Sequence, residues 1–79
     1  MIKFHYIYRP ATGEYLQDYV SDRYGLHLVW SYLPDHACEF TSYPFAKDLA
    51  EIISQADKIR TQVLPFKQIC RNIMMVRSA

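Results

Sequence analysis

Two turn signals, Pro10-Ala11-Thr12-Gly13 and Asp22-Arg23-Tyr24-Gly25, stand eight residues apart, and no other feature restricts the fold of this chain as much. Proline presets the φ of the first loop position, and a terminal glycine accepts the left-handed conformation that closes a four-residue hairpin loop. The first loop sets Arg9 opposite Glu14, followed by Tyr8 with Tyr15, Ile7 with Leu16, Tyr6 with Gln17, His5 with Asp18 and Phe4 with Tyr19. The second sets Ser21 opposite Leu26, and then Tyr19 with Leu28, Gln17 with Trp30 and Tyr15 with Tyr32. A slip of one residue would exchange the faces of a strand, so agreement between two separate turns specifies the register. The expectation is a three-stranded antiparallel meander. Its front face carries Phe4, Tyr6, Tyr8, Tyr15, Tyr19, Leu26, Leu28, Trp30 and Tyr32, and its back face carries Lys3, His5, Ile7, Arg9, Glu14, Leu16, Asp18, Val20, His27, Val29 and Ser31.

An apolar sheet face needs a cover, and one good helix follows the meander. In SYPFAKDLAEIISQADK, Pro44 suits a first helical turn, and Phe45, Leu49, Ile52, Ile53 and Ala56 recur at helical spacing. That stripe is expected on the aromatic front. The segment from Thr61 to Ile69 alternates as a fourth strand, and Pro65, which has no N–H, assigns it to a sheet edge. The last ten residues fit either a short helix on Ile69, Ile73 and Val76 or a partly ordered tail. Seventy-nine residues hold one core, so the fold class is α+β over a single domain, residues 1–79, with an antiparallel meander, a C-terminal edge strand and one helix on one face.

Chemistry is sparse in this sequence. An apolar fraction of 51% with 15% aromatic residues excludes a disordered chain, and two isolated glycines build no phosphate loop. Asp35, His36 and Cys38 lie close in sequence but lack the further ligands of a structural zinc site, so neither metal nor cofactor is expected. Cys38 has no evident oxyanion-forming turn beside it, and His5 opposite Asp18 is an oriented base without a nucleophile, so no enzymatic activity is expected. Cys38 and Cys70 are expected to be reduced, buried thiols. The N-terminus lacks the pattern of a secretion signal and no apolar run approaches membrane-spanning length, which predicts a cytoplasmic protein without membrane contact.

Charge is divided along the chain: residues 1–57 hold eight acids and four bases, and five bases and no acid follow. Two binding surfaces result. One is protein-binding, either an apolar centre of Ile7, Leu16 and Val29 on the back face edged by His5, Arg9, Glu14 and Asp18, or a surface of the acids Glu14, Asp18, Asp22, Asp35 and Glu39. The other is a basic C-terminal segment in which Lys67, Arg71 and Arg77 would contact nucleic acid, a less favoured alternative. Association into a homodimer is left open.

The order Tyr8, Thr12-Gly13, Tyr15-Leu16, then Trp30, then Ala37, Phe40 and Ser42 leading into a helix with Ala46 and Ala50, resembles short proteins of phages and prophages over residues 4–57. A recurring role in that class is inhibition of a host defence or nucleic-acid machine by binding it, as anti-CRISPR proteins do. The resemblance therefore implies a non-catalytic inhibitor or regulator in the host cytoplasm. Its partner would be a host protein complex such as a CRISPR effector, with an acidic surface imitating phosphate charge.

Overall fold

The computed structural model describes residues 3–71. Its strands are β1 (His5–Arg9), β2 (Glu14–Asp22), β3 (Gly25–Ser31) and β4 (Gln62–Pro65), and its main helix is α1 (Tyr43–Asp57). They form a four-stranded antiparallel sheet in the order β3-β2-β1-β4. With its helices, the sheet makes an α+β fold.

Both turns form, the first as its residues dictate. Gly13 takes φ +73° and closes the Pro10–Gly13 loop by donating its N–H to the Arg9 carbonyl at 2.9 Å, with Tyr8 opposite Tyr15 and Arg9 opposite Glu14. The second turn is tighter than the glycine signal suggests. Asp22 pairs with Gly25 inside the ladder, leaving only Arg23 and Tyr24 in the turn, while the Asp22 carboxylate accepts from the Tyr24 N–H at 2.8 Å. The register is unaffected, and Ser21 meets Leu26 and Tyr19 meets Leu28.

The face assignment is where structure and expectation part. Leu16 pairs with Trp30 but Asp18 pairs with Val29, so Gln17 is an extra residue in β2. Such a β-bulge reverses the side-chain alternation of one half of a strand relative to the other. The expected aromatic front is therefore split. Tyr6 and Tyr15, with Phe4 and Tyr8 against them, lie in one cluster, whereas Tyr19, Leu26, Leu28 and Trp30 pack with Ile7 and Leu16 in the other. Trp30 and Phe4 belong to opposite faces.

A second departure explains the first. The predicted pairing of His5 with Asp18 and of Phe4 with Tyr19 does not form, because the segment before α1 inserts between the two strands. His5 and Phe40 exchange hydrogen bonds at 2.7 and 2.9 Å, and the Cys38 N–H donates to the Leu16 carbonyl at 2.8 Å. The backbone groups that β1 and β2 would have offered each other are satisfied by this wedge, and the bulge accommodates it. Phe40, 5% exposed, is the plug, stacked on Tyr19 with ring centroids 5.6 Å apart.

Helix α1 starts where Ser42 caps it, its hydroxyl accepting from the Phe45 N–H at 3.3 Å, and ends at Lys58 in the left-handed conformation. Its buried stripe is Ala46, Leu49, Ala50 and Ile53, rotated from the expected one: Phe45 and Ile52 are about half exposed. Two alanines at i and i+4 let the helix approach Ile7 and Leu16 closely, which tyrosine rings would prevent.

β4 pairs with β1 as the edge strand that Pro65 required, with His5 opposite Pro65 and Tyr8 opposite Gln62. It ends at Pro65, short of the expected Ile69. Residues 66–71 are helical, and Ile69 covers Tyr6 and Tyr15 on the sheet face that α1 leaves open. The fold thus has helical cover on both faces where a single helix on one was expected. The expected contributions of Ile73, Val76 and Arg77 lie outside the described residues.

Candidate protein-binding face

The apolar centre expected on the back face does not exist at the surface. Ile7 and Leu16 are fully buried beneath α1, and only Val29 of that trio is exposed, at 50%. α1 buries the other two, and the bulge separates Val29 from them, since Leu16 sits on the α1 side while Val29, opposite Asp18, points to the other one.

A different surface takes its place. Past the bulge, Asp18, Val20 and Asp22 alternate onto the face away from α1, and across the ladder stand Val29, opposite Asp18, and His27, opposite Val20. Val20 is 54% exposed and lies diagonal to Val29, so two valines form a small apolar centre bordered by Asp18 and Asp22. The signal that could have found this surface is the residue pattern Asp18-x-Val20-x-Asp22, which stays on one face in either register of the bulge.

The five expected acids divide by what already holds them. Glu14 is committed to Arg9, whose Nη2 lies 2.9 Å from Glu14 Oε1 with both side chains mostly buried. Asp22 caps the turn and contacts His27 Nε2 at 3.2 Å. Asp18, which among the described residues accepts only from the adjacent Tyr19 N–H at 2.8 Å, is exposed, as are Asp35 and Glu39. Asp18 and Glu39 share one flank, beside Cys38. The turn Pro34–His36 that carries Asp35 packs against β2, and Asp18 and Glu39 both act on the thiol of Cys38.

That thiol is pushed above its ordinary value by burial first, and then by repulsion from Asp18 and Glu39. An activated nucleophile needs the opposite shift. Cys38 is therefore expected to react with iodoacetamide at mildly alkaline pH several times more slowly than a free cysteine, and faster once Asp18→Asn and Glu39→Gln remove the repulsion; mass spectrometry of timed aliquots measures both. The folded state holds the proton at a pH where the unfolded chain has lost it. The neutral thiol's contribution is thus complete below the ordinary thiol value and erodes as pH rises above it. Tyr6 is raised in the same way, by burial and then by Glu39 and Cys70.

The remaining sites offer little chemistry. His5 stacks edge-on against Tyr43 with centroids 5.3 Å apart and does not meet Asp18. Among the described residues no three His, Cys, Asp or Glu side chains gather as metal ligands. An open groove of about 470 Å³ runs between α1 and β4, lined by Lys47, Glu51, Arg60 and Gln62. Its Ser54 and Thr61 hydroxyls are structural: Thr61 Oγ1 donates to the Ala50 carbonyl at 2.6 Å and lies 2.7 Å from Ser54 Oγ. Lys67 and Arg71 are exposed, four apart on the helical residues 66–71. No described helix is long and apolar enough to cross a membrane.

No family model matches the chain, and no curated protein or solved structure compared with it is significantly similar.

Proposed function

We propose that the protein is a non-catalytic inhibitor or regulator that binds a host defence or nucleic-acid-processing protein complex, in the manner of an anti-CRISPR protein, and acts in the host cytoplasm. The observation that carries this reading is the β2–β3 face, where Val20 and Val29 are each about half exposed beside Asp18. A small apolar centre with a charged rim suits a protein partner, and exposed carboxylates at Asp18, Asp35 and Glu39 favour a basic one. A nucleic-acid channel in an effector complex has that character. The raised Cys38 thiol and the open groove give catalysis no support.

The test is a plasmid-interference assay in bacteria with an active CRISPR system. The wild-type chain is expected to relieve interference, and Asp18→Lys with Glu39→Lys to abolish relief while the free energy of unfolding changes by no more than exposed substitutions allow, about 0.5 kcal/mol each. Relief that survives both reversals rejects the acidic flank. Nucleic-acid binding by the purified protein, falling steeply with salt and lost in Lys67→Ala with Arg71→Ala, would favour the basic-segment alternative instead.

A further inference from the structure

We propose that β3 is the interface of a homodimer, pairing antiparallel with β3 of a second copy about a twofold axis through Leu28. The two edges of the sheet are protected very differently. β4 is four residues long and ends in Pro65, with Lys58 and Arg60 just before it, features that discourage edge pairing. β3 is seven residues, Gly-Leu-His-Leu-Val-Trp-Ser, with no proline, lysine or acid and no bulge of its own.

The direction of its backbone groups left unpaired among the described residues follows from the turn. With only two residues between them, Asp22 and Gly25 must be a pair that exchanges hydrogen bonds. Alternation then turns Gly25, His27 and Val29 toward β2, and presents the N–H and C=O groups of Leu26, Leu28 and Trp30 at the open edge. An antiparallel partner must match outward residues with outward residues. Centring on Leu28 matches all three, Leu28 with itself and Leu26 with the second copy's Trp30, twice by symmetry. Centring between Leu26 and Leu28, or between Leu28 and Trp30, matches only two.

The side chains agree with the backbone. Leu26, Leu28 and Trp30 are half-buried and share the α1 face, so the pairing joins two incomplete apolar layers across the axis. On the other face His27 would stand opposite the second copy's Val29, with no charge opposed to its own image. An interface in which the same patch meets itself is the usual geometry of a soluble dimer.

Sedimentation velocity over a concentration series should give a species of twice the 9.4 kDa chain mass at high concentration. Amide exchange of Leu26, Leu28 and Trp30 should slow by about tenfold or more as the dimer fills, while the amides of His27 and Val29 change little. His27→Lys with Val29→Lys places four ammonium groups together in the dimer, yet in the monomer sets them beside Asp18 and Asp22 on an exposed face. It should be monomeric with an unchanged fold by circular dichroism. A wild-type monomer at every concentration, exchange at the three amides that ignores concentration, or a dimer that persists in the folded double variant would each overturn the proposal.

Discussion

Leu16→Ala is expected to lower the free energy of unfolding by about 2–5 kcal/mol, the range for emptying a fully buried leucine site. A chain of 79 residues has about 4–12 kcal/mol in total, so this one substitution removes a large share of the stability. Leu16 is 0% exposed and packs with Ile7 and with the α1 stripe of Ala46, Leu49, Ala50 and Ile53. The cavity would open between a sheet and a helix that two alanines already hold close, which leaves little freedom to collapse into it. Val29→Ala is the matched control: its side chain is half exposed and its loss should cost about 0.5 kcal/mol or less. Urea unfolding followed by Trp30 fluorescence measures both. Equal, small losses would mean that Leu16 is on the surface and that the bulge at Gln17 is not where the structure has it.

The contrast between those two residues also marks how far the sequence could be read. Gly13, Pro10, Gly25 and Asp22 act locally, and turn chemistry alone recovered both hairpins and the register next to each turn, but not the pairs farther along the strands. Pro65 located the edge strand for the same reason, a missing N–H being a local property. The bulge is different. Whether Gln17 is counted in the ladder depends on the wedge of Cys38 and Phe40, which comes from more than twenty residues away and carries no periodic signal of its own. One extra residue then moved Leu16 relative to Tyr19, and with it the whole assignment of faces. The helix pattern held a clue that a simple hydrophobicity count passes over: Ala46, Leu49, Ala50 and Ile53 follow the i, i+3, i+4, i+7 spacing better than the larger Phe45 and Ile52 do. For the candidate site, the acids were legible as residue types, but which of them are free was not, because Glu14 and Asp22 are consumed by partners set by tertiary structure.

Arg9→Ala is expected to cost about 2–4 kcal/mol, more than any other polar substitution on the described surface, because four elements meet at its guanidinium. Its Nη2 lies 2.9 Å from Glu14 Oε1 on β2, its Nη1 3.4 Å from Asp57 Oδ2 on α1, and its Cζ 3.7 Å from the centre of the Trp30 ring on β3. These contacts do not contribute equally. The Asp57 pair is long and more than a third exposed on its acidic side, so solvent screens it and Asp57→Ala should cost about 0.5 kcal/mol or less. The Glu14 pair, at 12% and 18% exposure, is screened far less, and truncating the arginine leaves that carboxylate mostly buried without its partner. The stacked contact on Trp30 adds about 0.5–2 kcal/mol. Against these stands Arg9 Nε, buried without a hydrogen-bond partner among the described residues, which lowers the net value of the guanidinium. Two further variants separate the terms. Arg9→Lys keeps the charge but loses the planar stack, and should fall between wild type and Arg9→Ala. Arg9→Met with Glu14→Gln removes both charges and the stranded Nε while keeping the packing over Trp30, and should recover more than half of the loss. Urea titrations of the four variants against wild type decide the matter: if Arg9→Ala loses no more than Asp57→Ala, the guanidinium is a solvated surface group and the junction it makes between the hairpins and α1 holds nothing together.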